Sequence, residues 1–291
     1  GGIDASSYVY QDPEKGPDQI QSGSVSVVAD SVITSGVYSN AIFASGNGLE
    51  VTLTNRVLTR GDFSAGMMVL NDGAKAVSIH NEGDIATAGQ WSDGINTFNS
   101  GTLTIDGHGT VQTLGDNALG ITALSRTNVS VSQNSVTTSG AGSTAIRATL
   151  SPFGGTGFPD VHDVTVAVNN VTTKGDYALG ILAQNGSNDG SVNVAVRDSL
   201  STSGQNAVGI GAIAGIGGKA TINVGNVTTK GSQSVAIAAY AGSVDIRSTG
   251  MIATGGAHAN GINAVSSTGT AAIHVGTVAT QGEGAFGISV S

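Results

Sequence analysis

The sequence predicts an all-β chain folded as a right-handed parallel β-helix of about ten coils, with three short strands per coil. Three observations carry that expectation. A Thr-x-Gly unit recurs ten times, at Gly36, Gly61, Gly89, Gly115, Gly140, Gly175, Gly204, Gly231, Gly256 and Gly282. Six residues after each glycine stands Ile, or Met67 in the second copy, always behind a Gly or Ala. The distance between copies varies (25, 28, 26, 25, 35, 29, 27, 25 and 26) while the block itself never slips. A fixed block with elastic spacers is one structural unit stacked repeatedly, its loops absorbing the length changes.

Each element of the coil has its own signal. The first strand alternates, as in Ser24-Val25-Ser26-Val27 and Thr102-Leu103-Thr104-Ile105, which marks one buried face. The second carries Val-x-Thr, as in Val171-Thr172-Thr173 and Val227-Thr228-Thr229. The third is small-Ile-x-Ala, as in Gly180-Ile181-Leu182-Ala183. The apolar residue four before the glycine and the threonine two before it share parity, so both point inward. The ten threonines Thr34, Thr59, Thr87, Thr113, Thr138, Thr173, Thr202, Thr229, Thr254 and Thr280 are therefore expected to form an internal ladder, each hydroxyl bonding to the threonine of the next coil. The glycine supplies either a positive φ or close backbone approach. Ten coils at a rise of ~4.8 Å make a stiff rod roughly 50 Å long.

Two segments depart from the pattern. Residues 1–21 hold Tyr8, Tyr10, Pro13 and Pro17 and lie ahead of the repeat domain of 22–291, as an N-terminal cap or a linker. The 35-residue spacing accommodates an insertion loop at 151–163, with Pro152, Phe153, Phe158 and Pro159. Loops on a regular scaffold often carry binding.

Composition narrows the function. The 291 residues hold only 4% aromatics and 11% charged residues, with 45 glycines and a net charge of -9. An acidic chain with scattered Lys and Arg lacks the basic stripe that nucleic acid requires. No run reaches the ~18 apolar residues of a membrane span. There is no cysteine, which rules out a thiol nucleophile and suits a chain exported unfolded. The start at Gly1-Gly2 and the stop soon after Ile288 suggest a piece of a longer protein.

Catalytic signals are weak. Acids follow the key glycine at Asp62, Asp116, Asp176 and Glu283, but in copies that are not neighbours, where a glycosidase needs two facing carboxylates about 5–9.5 Å apart. Glu82 with Asp84, and Asp160 with Asp163, are local pairs lacking a third group, and His80 and His108 fall in adjacent copies without a third metal ligand. Neither a nucleophile elbow nor P-loop spacing appears. No catalytic residue, metal site or cofactor is expected.

Two features stand above the background. Tyr38, Phe63 and Trp91 lie two residues after the glycine in three consecutive copies, with Tyr177 and His258 in the same register further on. Stacked rings along one turn edge could hold a sugar or a partner side chain. Phe153 and Phe158 of the insertion loop are the other candidate contacts.

The unit V-x-T-x-G-x-x-A-x-G-I-x-A, clearest at Val111–Ala123, Val171–Ala183 and Leu200–Ala212, resembles the passenger repeats of bacterial autotransporter adhesins over about residues 22–291. The resemblance implies a segment displayed at the bacterial cell surface from the outer membrane. It would act as a non-catalytic adhesin or stalk, binding host-cell or matrix proteins or glycans, or associating with itself between cells. A polysaccharide-processing lyase or hydrolase on the same fold is the alternative.

Overall fold

The chain, described here by a computed structural model for residues 2–7, 23–151 and 162–291, stacks parallel strands into two long sheets. One sheet has 11 strands of three to five residues, from Ile3–Ser6 through Ile42–Gly46 and Ile181–Asn185 to Ile288–Val290. The other has 12 strands, most of them longer, among them Leu49–Thr59, Val164–Thr173 and Ser243–Thr254. The chain alternates between the sheets and returns one rung further along, forming a parallel β-helix.

The strand count per coil differs from the expectation. The first and second strand signals run together into one bent strand in most coils, so these coils hold two strands rather than three. Only at Val77–Asn81 with Asp84–Thr87, and at Leu103–Asp106 with Thr110–Thr113, does the bend interrupt the strand. Elsewhere pairing resumes beyond the bend, in most coils with a register shift, as between Val196 and Ser199. A bulge lets the backbone turn without breaking the ladder on either side.

The interior follows the parity of the sequence. Val57, Val111, Val136, Leu200 and Val227 are buried ahead of the threonines, and Ile42, Met67, Ile95, Ile121, Ile146, Ile181, Ile210, Ile237 and Ile262 stack opposite them. The pairings Thr34↔Thr59, Thr59↔Thr87 and onward to Thr254↔Thr280 place ten threonines in register, so nine turns lie between the first and the last.

Their hydroxyls do not bond from coil to coil. From Thr34 to Thr254, each Oγ1 donates to the carbonyl oxygen five residues ahead in its own coil, at 2.5–2.9 Å: Thr173 to Ala178, for example, and Thr202 to Ala207. Stacked threonines stand a full strand spacing apart, ~4.8 Å, while the turn folds its own carbonyl back within reach. The ladder is thus a series of intra-coil staples that fix each turn.

The key glycine serves close approach. A Cβ on Gly175 would lie 1.9 Å from the Gly140 carbonyl oxygen, and one on Gly61 would lie 2.0 Å from that of Gly36. The positive φ falls two residues later in the same turn.

Within the N-terminal cap or linker of 1–21, a strand stacks on the first coil, while residues 8–21 lie outside the described residues. Gly2-Ile3-Asp4-Ala5 is a further small-Ile-x-Ala strand, and Ile3–Ser6 pairs in register with Ile42–Ser45. Phe153, Phe158 and Asp160 lie outside the described residues.

Candidate functional site

Two surfaces of the rod carry unusual chemistry. The first is the turn edge. The residue two after each key glycine adopts the left-handed conformation in all ten copies. Tyr38, Phe63, Trp91, Asn117, Tyr177, Asn206, Gln233 and His258 have φ of 52–57°, and Gly142 and Gly284 occupy the same place at 69° and 66°. Asn and Gly reach this region at low cost, whereas bulky side chains rarely do. Tyr38, Phe63, Trp91 and Tyr177 nevertheless hold it with side chains in solvent, exposed by 74%, 46%, 55% and 65%. The Tyr38 and Phe63 rings stack at 5.0 Å between centroids and 16° between planes. Trp91 continues the column at the next rung, its N–H donating to the Asp116 carbonyl as that of Phe63 donates to Gln90.

The acids beside this edge are structural. Asp62 Oδ1 accepts the Gln90 N–H of the next coil at 2.8 Å, Asp116 accepts Ala141 N–H at 2.8 Å, and Asp176 accepts Gln205 N–H at 2.7 Å. Each carboxylate ties its turn to the following one. Asp93 does similar work deeper in the wall. Its oxygens accept from Leu119 N–H, Thr122 Oγ1 and Asn96 Nδ2 at 2.8–3.1 Å. Burial pushes its carboxyl up to about 6, against the lowering pull of those three donors and of Arg147.

The second surface is a groove of about 550 Å³ along the bend of the long strands. It crosses successive coils and is lined by Ser132, Asn134, Asn169, Arg197, Asn223 and Thr249, with Ala167 and Ala195 where larger side chains would fill it. Register explains the alignment: Ser132 pairs with Ala167, Ala167 with Ala195, Ala195 with Asn223. Asn169 Nδ2 donates to Asn134 Oδ1 at 3.0 Å, an amide pair that bridges two rungs on one wall. Arg197 is exposed and forms no ion pair among the described residues.

At the upstream end of the groove the structure brings together His80, Glu82 and His108, which the sequence leaves without a third partner, and adds Asp106. His80 Nδ1 lies 2.7 Å from Asp106 Oδ1, and its Nε2 lies 3.0 Å from Glu82 Oε1. His108, which lines the groove, reaches Glu82 at 3.2 Å. The hydrogen bond to Asp106 holds the His80 imidazole protonated above its ordinary range, and the two carboxylate charges add to this. With both nitrogens engaged to carboxylates, His80 has no lone pair for a metal, and no group of three metal-ligating side chains occurs among the described residues. The signal in the sequence was positional: His80 and Asp106 each stand nine residues ahead of their key glycines, Gly89 and Gly115.

No protein-family profile, curated protein or solved structure matches the chain.

Proposed function

We propose that the chain is a non-catalytic adhesin or stalk segment, a passenger piece of a bacterial autotransporter displayed at the cell surface, whose turn edge contacts the partner. The observation that carries this reading is the placement of Tyr38, Phe63 and Trp91. These rings occupy left-handed positions where Asn117, Asn206, Gly142 and Gly284 serve the same turn. Conformational preference argues against aromatic rings there and the rings gain little burial, which supports a role in contacting a partner. Rigid aromatic area is also what interface hot spots use most. A rod stapled at every turn holds such a surface still.

The repeat pattern resembling autotransporter passengers supports surface display. The recurrent acids support a scaffold role, since Asp62, Asp116 and Asp176 each spend an oxygen on backbone of the next coil. The competing enzyme reading draws on the Glu82–His80–Asp106 cluster, whose facing carboxylates share one imidazole. One experiment separates the two. Particles coated with the protein are expected to adhere to host-type glycan or matrix surfaces, and Trp91→Ala to reduce adhesion with the circular dichroism unchanged. Release of new reducing or unsaturated ends from pectin or alginate, lost on Glu82→Gln, would replace the adhesin reading with the enzyme.

A further inference from the structure

We infer that the groove from Ser132 to Thr249 is a second binding site, separate from the aromatic edge, which takes a linear oligosaccharide carrying carboxylates, such as a uronic-acid chain. The inference deepens the adhesion reading and rests on it.

The direction of the groove selects the kind of ligand. It runs across the strands, so a ligand lying in it crosses one rung every ~4.8 Å. That advance is comparable with one hexose unit along an extended glycan. Four of the five rungs then offer a hydroxyl or amide, Ser132, Asn169, Asn223 and Thr249, and the middle rung offers Arg197. Such groups match a polymer that bears hydroxyls on every unit. Between them Ala167 and Ala195 leave room against the apolar faces of sugar rings. An extended peptide would fit poorly for a specific reason. The strands beneath the groove pair in parallel on both sides, from Val164–Thr173 through Val192–Thr202 to Lys219–Thr229, and only the few residues at the bend, such as Arg197 and Asp198, fall outside that pairing, so none of these strands is a sheet edge. Strand addition needs an open edge, which the groove does not present.

Charge selects the class of sugar. Against a net charge of -9, the groove centre carries the exposed Arg197, and none of the residues lining it is a carboxylate. A guanidinium pairs with a planar carboxylate through two parallel hydrogen bonds, a geometry that a neutral sugar cannot return. The acidic side chains Glu82 and Asp106 stand at the upstream end and Asp245 downstream holds Lys219 and Arg247. Asp198, next to Arg197 in the chain, is exposed but accepts from Asn170 Nδ2 at 3.4 Å and lines no part of the groove, so Arg197 is the charge an anionic chain meets at the middle coils.

The test is titration calorimetry of the intact protein with tetragalacturonate, with the neutral tetraose of glucose and with tetraglutamate as comparison probes. Tetragalacturonate is expected to bind and the neutral tetraose to bind at least about tenfold more weakly, the loss of one charge-assisted pair. Arg197→Glu should abolish that preference. Ala195→Phe, which fills the groove from an exposed strand position, should weaken binding as much without touching a charge. Binding that survives both substitutions, or tetraglutamate binding as tightly as the uronate, overturns the inference. If calorimetry fails while protein-coated particles still adhere through Trp91, the groove falls and the adhesion reading stands.

Discussion

Thr173 and Tyr177 stand four residues apart in one turn, and their columns behave differently along the rod. The threonine column is invariant, and in nine copies the hydroxyl staples the same carbonyl. The column of Tyr177 keeps its left-handed backbone in ten copies but changes its side chain from Gly to Trp. A buried donor must find its acceptor in every coil, because an unsatisfied buried polar group costs about 1–3 kcal/mol. A left-handed turn needs only a φ, and its side chain points to solvent. The fold therefore dictates one column and leaves the other free for recognition.

The dictated side of the comparison breaks most severely at the glycines. Gly175→Val would drive a side chain into the Gly140 carbonyl, whose oxygen is already 1.9 Å from where the first carbon would sit. Neither backbone can move without moving its own rung. The substitution is expected to destabilise by about 4 kcal/mol or more, at the extreme end for single changes. Chemical denaturation of the variant beside the parent measures it. A loss below about 1 kcal/mol would mean that the coils can spread, and that the glycine column is not dictated by approach.

This side of the molecule was legible because its causes are local and repeat. Valine, threonine, glycine and isoleucine each meet the same neighbours in every coil, so the sequence repeats wherever the interior does. The merging of two strand signals into one was not legible, because the residues at the bend differ in each coil: Asn169-Asn170 in one, Arg197-Asp198 in another. The groove follows that bend and was missed with it. The His80–Asp106 pair was missed because a shared offset was not translated into a shared rung. The left-handed turn was hidden by its own aromatics, although Asn117, Gly142, Asn206 and Gly284 at the same offset spelled it out. The first rung at Ile3–Ser6 was hidden because the Thr-x-Gly that marks every other copy would fall ahead of residue 1, leaving only Gly2-Ile3-x-Ala5 to read.

Asp93 lies between the two regimes and gives the next largest effect. Its place in the turn is held by Asn40 in the first copy and Asn260 in the ninth, and each of these accepts the same next-coil N–H at 2.8 Å, from Ala65 and Phe286. An amide therefore suffices for the bond, and the charge is surplus. Because the folded carboxyl titrates at about 6 rather than 3.8, the folded chain holds a proton that the unfolded chain has already released. The contribution of Asp93 to stability is fully present below the lower value. That contribution, about 3 kcal/mol, should be lost as pH rises through the interval and level off above about 6. Asp93→Asn should remove that slope and be the more stable protein at pH 8. Some of the gain is offset because Thr122 and Asn96 must reverse their hydrogen bonds. Parallel slopes for both proteins between pH 4 and 6.5 would show that Asp93 is solvated as an ordinary carboxylate.

The smallest effect probes the free column directly. Trp91 has φ of 54° and is more than half exposed, so it contributes little burial to set against a conformation that disfavours its side chain. Asn occupies the equivalent place at Asn117 and Asn206 with φ of 53° and 52°. Trp91→Asn should therefore leave the fold unharmed and stabilise it, by at most about 1 kcal/mol, since the left-handed region costs bulky residues roughly that much. The same variant should adhere more weakly than the parent. A rise in stability with a fall in adhesion is what a residue kept for recognition produces, and neither half alone would do. If Trp91→Asn lowered the melting temperature, the indole would be covering the turn and contributing to the fold. The free column would then be as structural as the threonines beside it. Glycine in place of tryptophan is the less informative change, because its unfolded chain gains freedom that offsets the relief of strain.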